Sequence, residues 1–136
     1  MNKIYMKKFA VVAAVIQHEN KILCVQRASS KYDYISFKYE FPGGKIELGE
    51  TLEEAIVREV EEELCMHIIV DSYLMTVNHD YPDFSISLNT FLCYSQNKSL
   101  QLVEHIDYQW LTADELITLD WAAADLPIVN ELIKND

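Results

Sequence analysis

Residues 51–64, TLEEAIVREVEEEL, place the tightest constraint on how this chain can fold. Leu52, Ile56, Val60 and Leu64 recur at every fourth position, which is the spacing of one helix face. Thr51, with Glu54 three residues on, has the form of a capping box at the start of that helix. At about 100° of turn per residue, Glu59, Glu62 and Glu63 fall within an arc of roughly 100°. Like charges three and four residues apart destabilise a helix by a few tenths of a kcal/mol per pair. Such a ridge is either a solvated acidic surface or a place where something offsets the repulsion. A hard divalent cation would do so, because Mg2+ takes carboxylate and water oxygens and links carboxylates to phosphates.

The segments around this helix are strand-like. FAVVAAVIQ and KILCVQRA, joined by HEN, read as a hairpin. SSKYDYISFKYE is polar and aromatic without periodicity and reads as a loop, and FPGG breaks the chain after it. HIIVDSYLMTVNHDY and FSISLNTFLCYSQ are strands joined by a turn containing Pro82, and HIDYQWLT is another strand. TADELITL reads as a short capped helix and PIVNELIKN as a final helix. Pro127 is expected at the first helical position with Leu126 as N-cap, which leaves Asp125 just outside the helix. The order implies an α/β fold in which a mixed sheet is packed between helices. A length of 136 residues suits one domain, 1–136, with a single core.

Charge and cysteine usage narrow the function. A net charge of −11 excludes sustained contact with a nucleic-acid polymer, which needs a basic surface, yet allows a single nucleotide whose phosphates are carried by metal. Cys24, Cys65 and Cys93 are odd in number and lack paired ligand spacing, which argues against structural disulfides and zinc. Cys65 reads as a buried small hydrophobe. No apolar run approaches the roughly 20 residues of a membrane span. The opening MNKIYMKKFAVVAAVIQHENK has the lysines of a leader, but its apolar run is short, β-branched and without a cleavage site. It reads as a first strand, and the expected compartment is the cytoplasm.

The spacing then becomes specific. Gly44 is followed after five residues by Glu50, after seven more by Arg58-Glu59-Val60, and then by Glu62-Glu63 and Met66. This segment resembles the box of the Nudix hydrolase family, matching every defined position except one, where Cys65 replaces a glycine. The flanking EFPGGKIELGET resembles the MutT-like branch of that family. The resemblance implies the Nudix α/β/α sandwich and metal-dependent hydrolysis of nucleoside triphosphates to monophosphate and pyrophosphate. Mg2+ is the implied cofactor, with Mn2+ as a substitute, and Gly44, Glu50, Arg58, Glu59, Glu62 and Glu63 carry the family roles.

Physical reasoning gives those roles content. Gly43 and Gly44 allow a tight turn and close approach to a ligand. Glu59, Glu62 and Glu63 are the candidate metal ligands, and Glu50 and Arg58 are suited to brace the loop against the helix through a bidentate pair. Glu47 and Glu53 are expected to face solvent. The general base is a glutamate in the box or Glu104, which reads equally as a surface acid before a strand. His105 reads as a loop residue. Near the C-terminus, WAAADLPIVNELI and EHIDYQWLTADEL resemble bacterial CTP pyrophosphohydrolases within the MutT-like branch. Asp125 could accept a hydrogen bond from the exocyclic amine of cytosine, or could simply favour a helix dipole. Tyr34, Phe37 and Tyr39 could stack on a base, although packing suffices to explain each. Three functions compete: hydrolysis of cytidine nucleotides, the same chemistry on oxidised purines such as 8-oxo-dGTP, and nucleotide sensing without catalysis.

Overall fold

The computed structural model describes residues 7–135; the first six residues, part of the stretch weighed as a leader, lie outside them. Seven strands, β1 (Lys7–His18), β2 (Lys21–Gln26), β3 (Tyr39–Glu40), β4 (Gly43–Lys45), β5 (Ile69–Asp80), β6 (Phe84–Tyr94) and β7 (Asp107–Leu111), form one mixed sheet. Two helices, α1 (Leu52–Leu64) and α2 (Leu126–Lys134), cover it together with 3-10 turns at Ala113–Thr118 and Ala123–Asp125.

Strand β1 organises the sheet. One edge runs parallel to β6 from Lys7 to Gln17. The other edge forks, with Val11, Val12 and Ala13 pairing β4, and Gln17 and His18 pairing β2. Beyond the fork β2 carries β3 and β7, and on the far side β5 lies antiparallel to β6. The hairpin turn is Glu19-Asn20, both with positive φ (49° and 65°), the conformation that matches strand twist in a two-residue connection.

The two faces of β1 follow its alternation. Val12, Ala14 and Ile16 pack against Ile56, Val60 and Leu64 of α1. Ala13 and Val15 face the other way, into a core with Leu116, Trp121, Ile128 and Val129. Helix α1 begins as expected: the Thr51 side chain accepts the Glu54 amide at 3.1 Å, and the Glu54 carboxylate accepts the Thr51 amide at 2.9 Å.

TADELITL forms the expected short capped helix, in 3-10 geometry over Ala113–Thr118. Two local expectations are corrected. Leu126 is not the N-cap: it is already helical (φ −56°, ψ −43°), and Asp125 stands at the cap. The preceding 3-10 turn has committed the chain to right-handed geometry there, which overrides the preference imposed by Pro127. Cys65 is not a buried hydrophobe. It ends α1 in the left-handed conformation (φ 54°, ψ 37°), donates its amide to the Glu61 carbonyl, and is exposed. The reversal turns its side chain outward, and Met66 fills the core instead.

Candidate active site

The β1–β4 pairing leaves no room for a side chain at Gly43, and a side chain at Gly44 would displace the Glu59 carboxylate. A Cβ on Gly43 would run into the Val12 carbonyl, and one on Gly44 would collide with the Glu59 carboxylate. This close approach brings the phosphate-loop candidate, β4, directly against α1. The intervening loop is fastened by Arg58. Its Nε donates to Glu50 Oε2 at 2.6 Å and its Nη2 to Glu50 Oε1 at 2.9 Å, the bidentate pair expected from the sequence. Nη2 also donates to the Lys45 carbonyl at 3.0 Å, while Glu50 Oε1 accepts the Glu47 amide at 2.8 Å. These hydrogen bonds, from Arg58 first, hold Glu50 below the usual carboxylate range. Glu47 is largely exposed, as expected, with Oε1 3.5 Å from Arg58 Nη1, and Glu53 is exposed.

Arg58 Nη1 also donates to Glu59 Oε1 (3.0 Å) and Glu62 Oε2 (3.1 Å). Glu63 accepts the Gly43 amide at 3.3 Å and, among the described residues, makes no bond to Arg58. Among the described residues, no three carboxylate, imidazole or thiol groups converge on one point at metal-ligand distances. The donor set nonetheless fits a hard divalent cation. It is all carboxylate, on one helix face, and two of the three members are held at a cost. Burial, reinforced by the charges of Glu40 and Glu59, pushes Glu63 up to about 8, and burial raises Glu59 against the opposing pull of Arg58. A nearby cation is what would bring both back to the charged form.

Glu63, Gly43 and Gly44 line a cleft of about 510 Å³. Phe9 and Val11 of β1 and Ile86 and Leu88 of β6 also line it, alongside Tyr32, Tyr81 and Phe84. Four cationic side chains, Lys7, Arg27, Lys31 and Lys45, border it in a protein that has only eleven. That concentration suits a polyphosphate. Asp125 also lines the cleft, buried, with Oδ2 accepting the Phe41 amide at 3.0 Å, and it makes no hydrogen bond to its own helix. Burial, with the Glu40 charge adding to it, holds Asp125 well above the usual range.

The remaining candidates fall outside the cleft lining. Glu104 is exposed on the bend before β7. Tyr34 Oη donates to Asp83 at 2.8 Å, Tyr39 Oη donates to Asp107 at 2.6 Å, and Phe37 is turned to solvent. Sequence reasoning missed Arg27, Glu40 and Tyr32. Arg27 directly follows β2, and Glu40 immediately precedes FPGG, so adjacency to the box was the available clue for Glu40 alone. His105, read as a loop residue, is buried with Nε2 2.9 Å from Glu40 Oε2.

The NUDIX domain model matches residues 6–132. The CTP pyrophosphohydrolase of Escherichia coli K12 is 33% identical over 124 residues, covering 91% of this chain and 90% of that one. The 8-oxo-dGTP diphosphatase of the same organism is 31% identical over 127 residues, covering 93% and 98%. The solution structure of a MutT protein from methicillin-resistant Staphylococcus aureus 252 superposes with a TM-score of 0.74 at 37% identity, covering 97% and 100%.

Proposed function

The chain belongs to the Nudix hydrolase family, and from that premise we propose that it splits nucleoside triphosphates into monophosphate and pyrophosphate, with CTP and dCTP preferred. Pyrophosphohydrolysis of nucleotides follows from the family and its relatives, so the sensing role without catalysis is set aside. The observation that supports cytidine is Asp125, a buried carboxyl in the cleft whose hydrogen-bond partner is the Phe41 amide. Its other oxygen would accept the N4–H group of cytosine, where uracil presents a carbonyl instead.

In this reading Glu59, Glu62 and Glu63 would hold a divalent cation, Mg2+ or in its place Mn2+, which would supply charge neutralisation for the diphosphate and a lowered pKa for the attacking water. Lys7, Arg27, Lys31 and Lys45 draw in the polyphosphate, Gly43 and Gly44 let the backbone approach it, and Glu50 with Arg58 keeps loop and helix in register. Hydrolysis makes a bond from water oxygen to phosphorus and breaks a bridging P–O bond. The proton released passes to a carboxylate, with Glu104 as the candidate. The free thiols of Cys24, Cys65 and Cys93 suit the reducing cytoplasm. No helix among the described residues is long and apolar enough to cross a membrane.

A nucleotide panel with pyrophosphate detection tests the choice of base. CTP or dCTP should give the highest kcat/KM, and Asp125→Ala should lower it roughly 5- to 150-fold, the cost of an unpaired buried group. UTP should suffer much less. The competing reading draws on the 8-oxo-dGTP diphosphatase relative. It is preferred if 8-oxo-dGTP is the best wild-type substrate and takes the largest loss. One common loss across all nucleotides would make Asp125 structural.

A further inference from the structure

The segment around Glu104 is fastened on both sides. The amides of Gln101 and Val103 donate to the carbonyls of Leu64 (2.9 Å) and Glu63 (3.2 Å), at the end of α1. The amide of Ile106 donates to the Gln26 carbonyl at 3.0 Å, at the end of β2. Between these ties His105 turns inward with its side chain only 5% exposed, and its Nε2 meets Glu40 Oε2 at 2.9 Å. The other oxygen of Glu40 faces Arg27 Nη1 at 3.3 Å, and Glu40 stands in β3, three residues before Gly43. His105 Nδ1 is buried without a protein partner among the described residues.

Burying an imidazole with one nitrogen unpaired is costly, and an apolar side chain would fill the space without that cost. What the imidazole adds is a directed bond across three parts of the chain. It joins the Glu104 bend, the strand β3 that leads into β4, and the Arg27 guanidinium at the cleft. We propose that His105 is a positioning residue for hydrolysis: by holding Glu40, it fixes the Glu104 carboxylate relative to Glu63 and the glycines of β4. The proposal rests on Nudix hydrolysis with Glu104 taking the proton, and is independent of which base is preferred. The nucleotide used is therefore whichever the wild type turns over fastest.

The test is a double-mutant cycle. His105→Leu removes the bond at similar volume, and His105→Gln returns an amide N–H to the position of Nε2. A misplacement of about 1 Å near reacting atoms can cost 100-fold. His105→Leu should lower kcat by about 10- to 100-fold while KM changes little, and His105→Gln should recover most of the loss. In a Glu104→Gln background the same His105→Leu change should cost less than about threefold, because the group it positions is gone. Equal losses in both backgrounds, a kcat for His105→Leu close to wild type, or no rescue by His105→Gln overturn the proposal. Wild-type turnover by Glu104→Gln itself would overturn the role of Glu104, and the proposal with it. Should His105→Leu not fold, His105→Asn, too short to reach Glu40, replaces it under the same outcomes.

Discussion

Cys65 carries the cost of a left-handed backbone with a Cβ attached. The family glycine would avoid that cost, and the exposed thiol makes no hydrogen bond that offsets it. Cys65→Gly should stabilise the protein by up to about 1–2 kcal/mol, less the greater chain entropy that glycine brings to the unfolded state. Turnover should remain near wild type, since no candidate ligand moves. Denaturant melts and a steady-state assay check this, and a lower midpoint for the variant would mean that the sulfur packs usefully after all. The position of this residue was legible from the box, but its burial was not. Cysteine is among the most buried residue types, and only the left-handed turn sends this one outward.

Helix α1 combines two incompatible demands on one cylinder. Ile56, Val60 and Leu64 are buried against the sheet, while Glu59, Glu62 and Glu63 share a neighbouring arc. Arg58 relieves part of the repulsion by bonding Glu59 and Glu62, but among the described residues Glu63 has only the Gly43 amide. Metal should therefore be needed for chemistry while its ligands weaken the metal-free helix. EDTA should abolish turnover, and Glu62→Gln and Glu63→Gln should each reduce it severely. In EDTA, Glu63→Gln should melt at a higher temperature than the wild type. Full activity in EDTA, or in both variants, would remove the metal reading. Most of this element was visible beforehand because its cap, apolar face and acidic face are all local periodicities. The pairing of Arg58 with Glu50 spans eight residues and was still within reach of the motif.

At the scale of the molecule, Asp125 links the start of α2 to the Phe41 amide ahead of β4, across 84 positions of sequence. Its folded-state pKa lies above the ordinary value of 3.8, so the folded protein holds a proton that the unfolded chain releases. Stability from this group is present in acid and falls as pH rises above about 3.8 toward the folded value. Asp125→Asn has nothing to ionise and retains an acceptor for Phe41. Its melting temperature should match the wild type near pH 3.5 and exceed it increasingly toward pH 8. A difference that does not change with pH would mean that Asp125 folds as an ordinary carboxylate. Contacts of this range were the ones hidden in the sequence. Glu40 meets His105 across 65 positions, and that meeting depends on how separate segments pair. The loop before β3 has no periodicity, so nothing marked Tyr32, rather than Tyr34, Phe37 or Tyr39, as the ring that faces the cleft.

The fork along β1 divides the molecule's tasks. Lys45 and the glycines, with the acidic helix behind them, hang from one branch, while β2, the loop after it and β7 hang from the other. Both branches are registered on β1, but at separate stretches, so insertions or exchanges in the loop after β2 need not disturb the pairing of β4. Lineages descended from such a chain can vary the loop that brings Tyr32 to the cleft while inheriting β4 and the acidic helix unaltered. The scaffold is modular at a single strand.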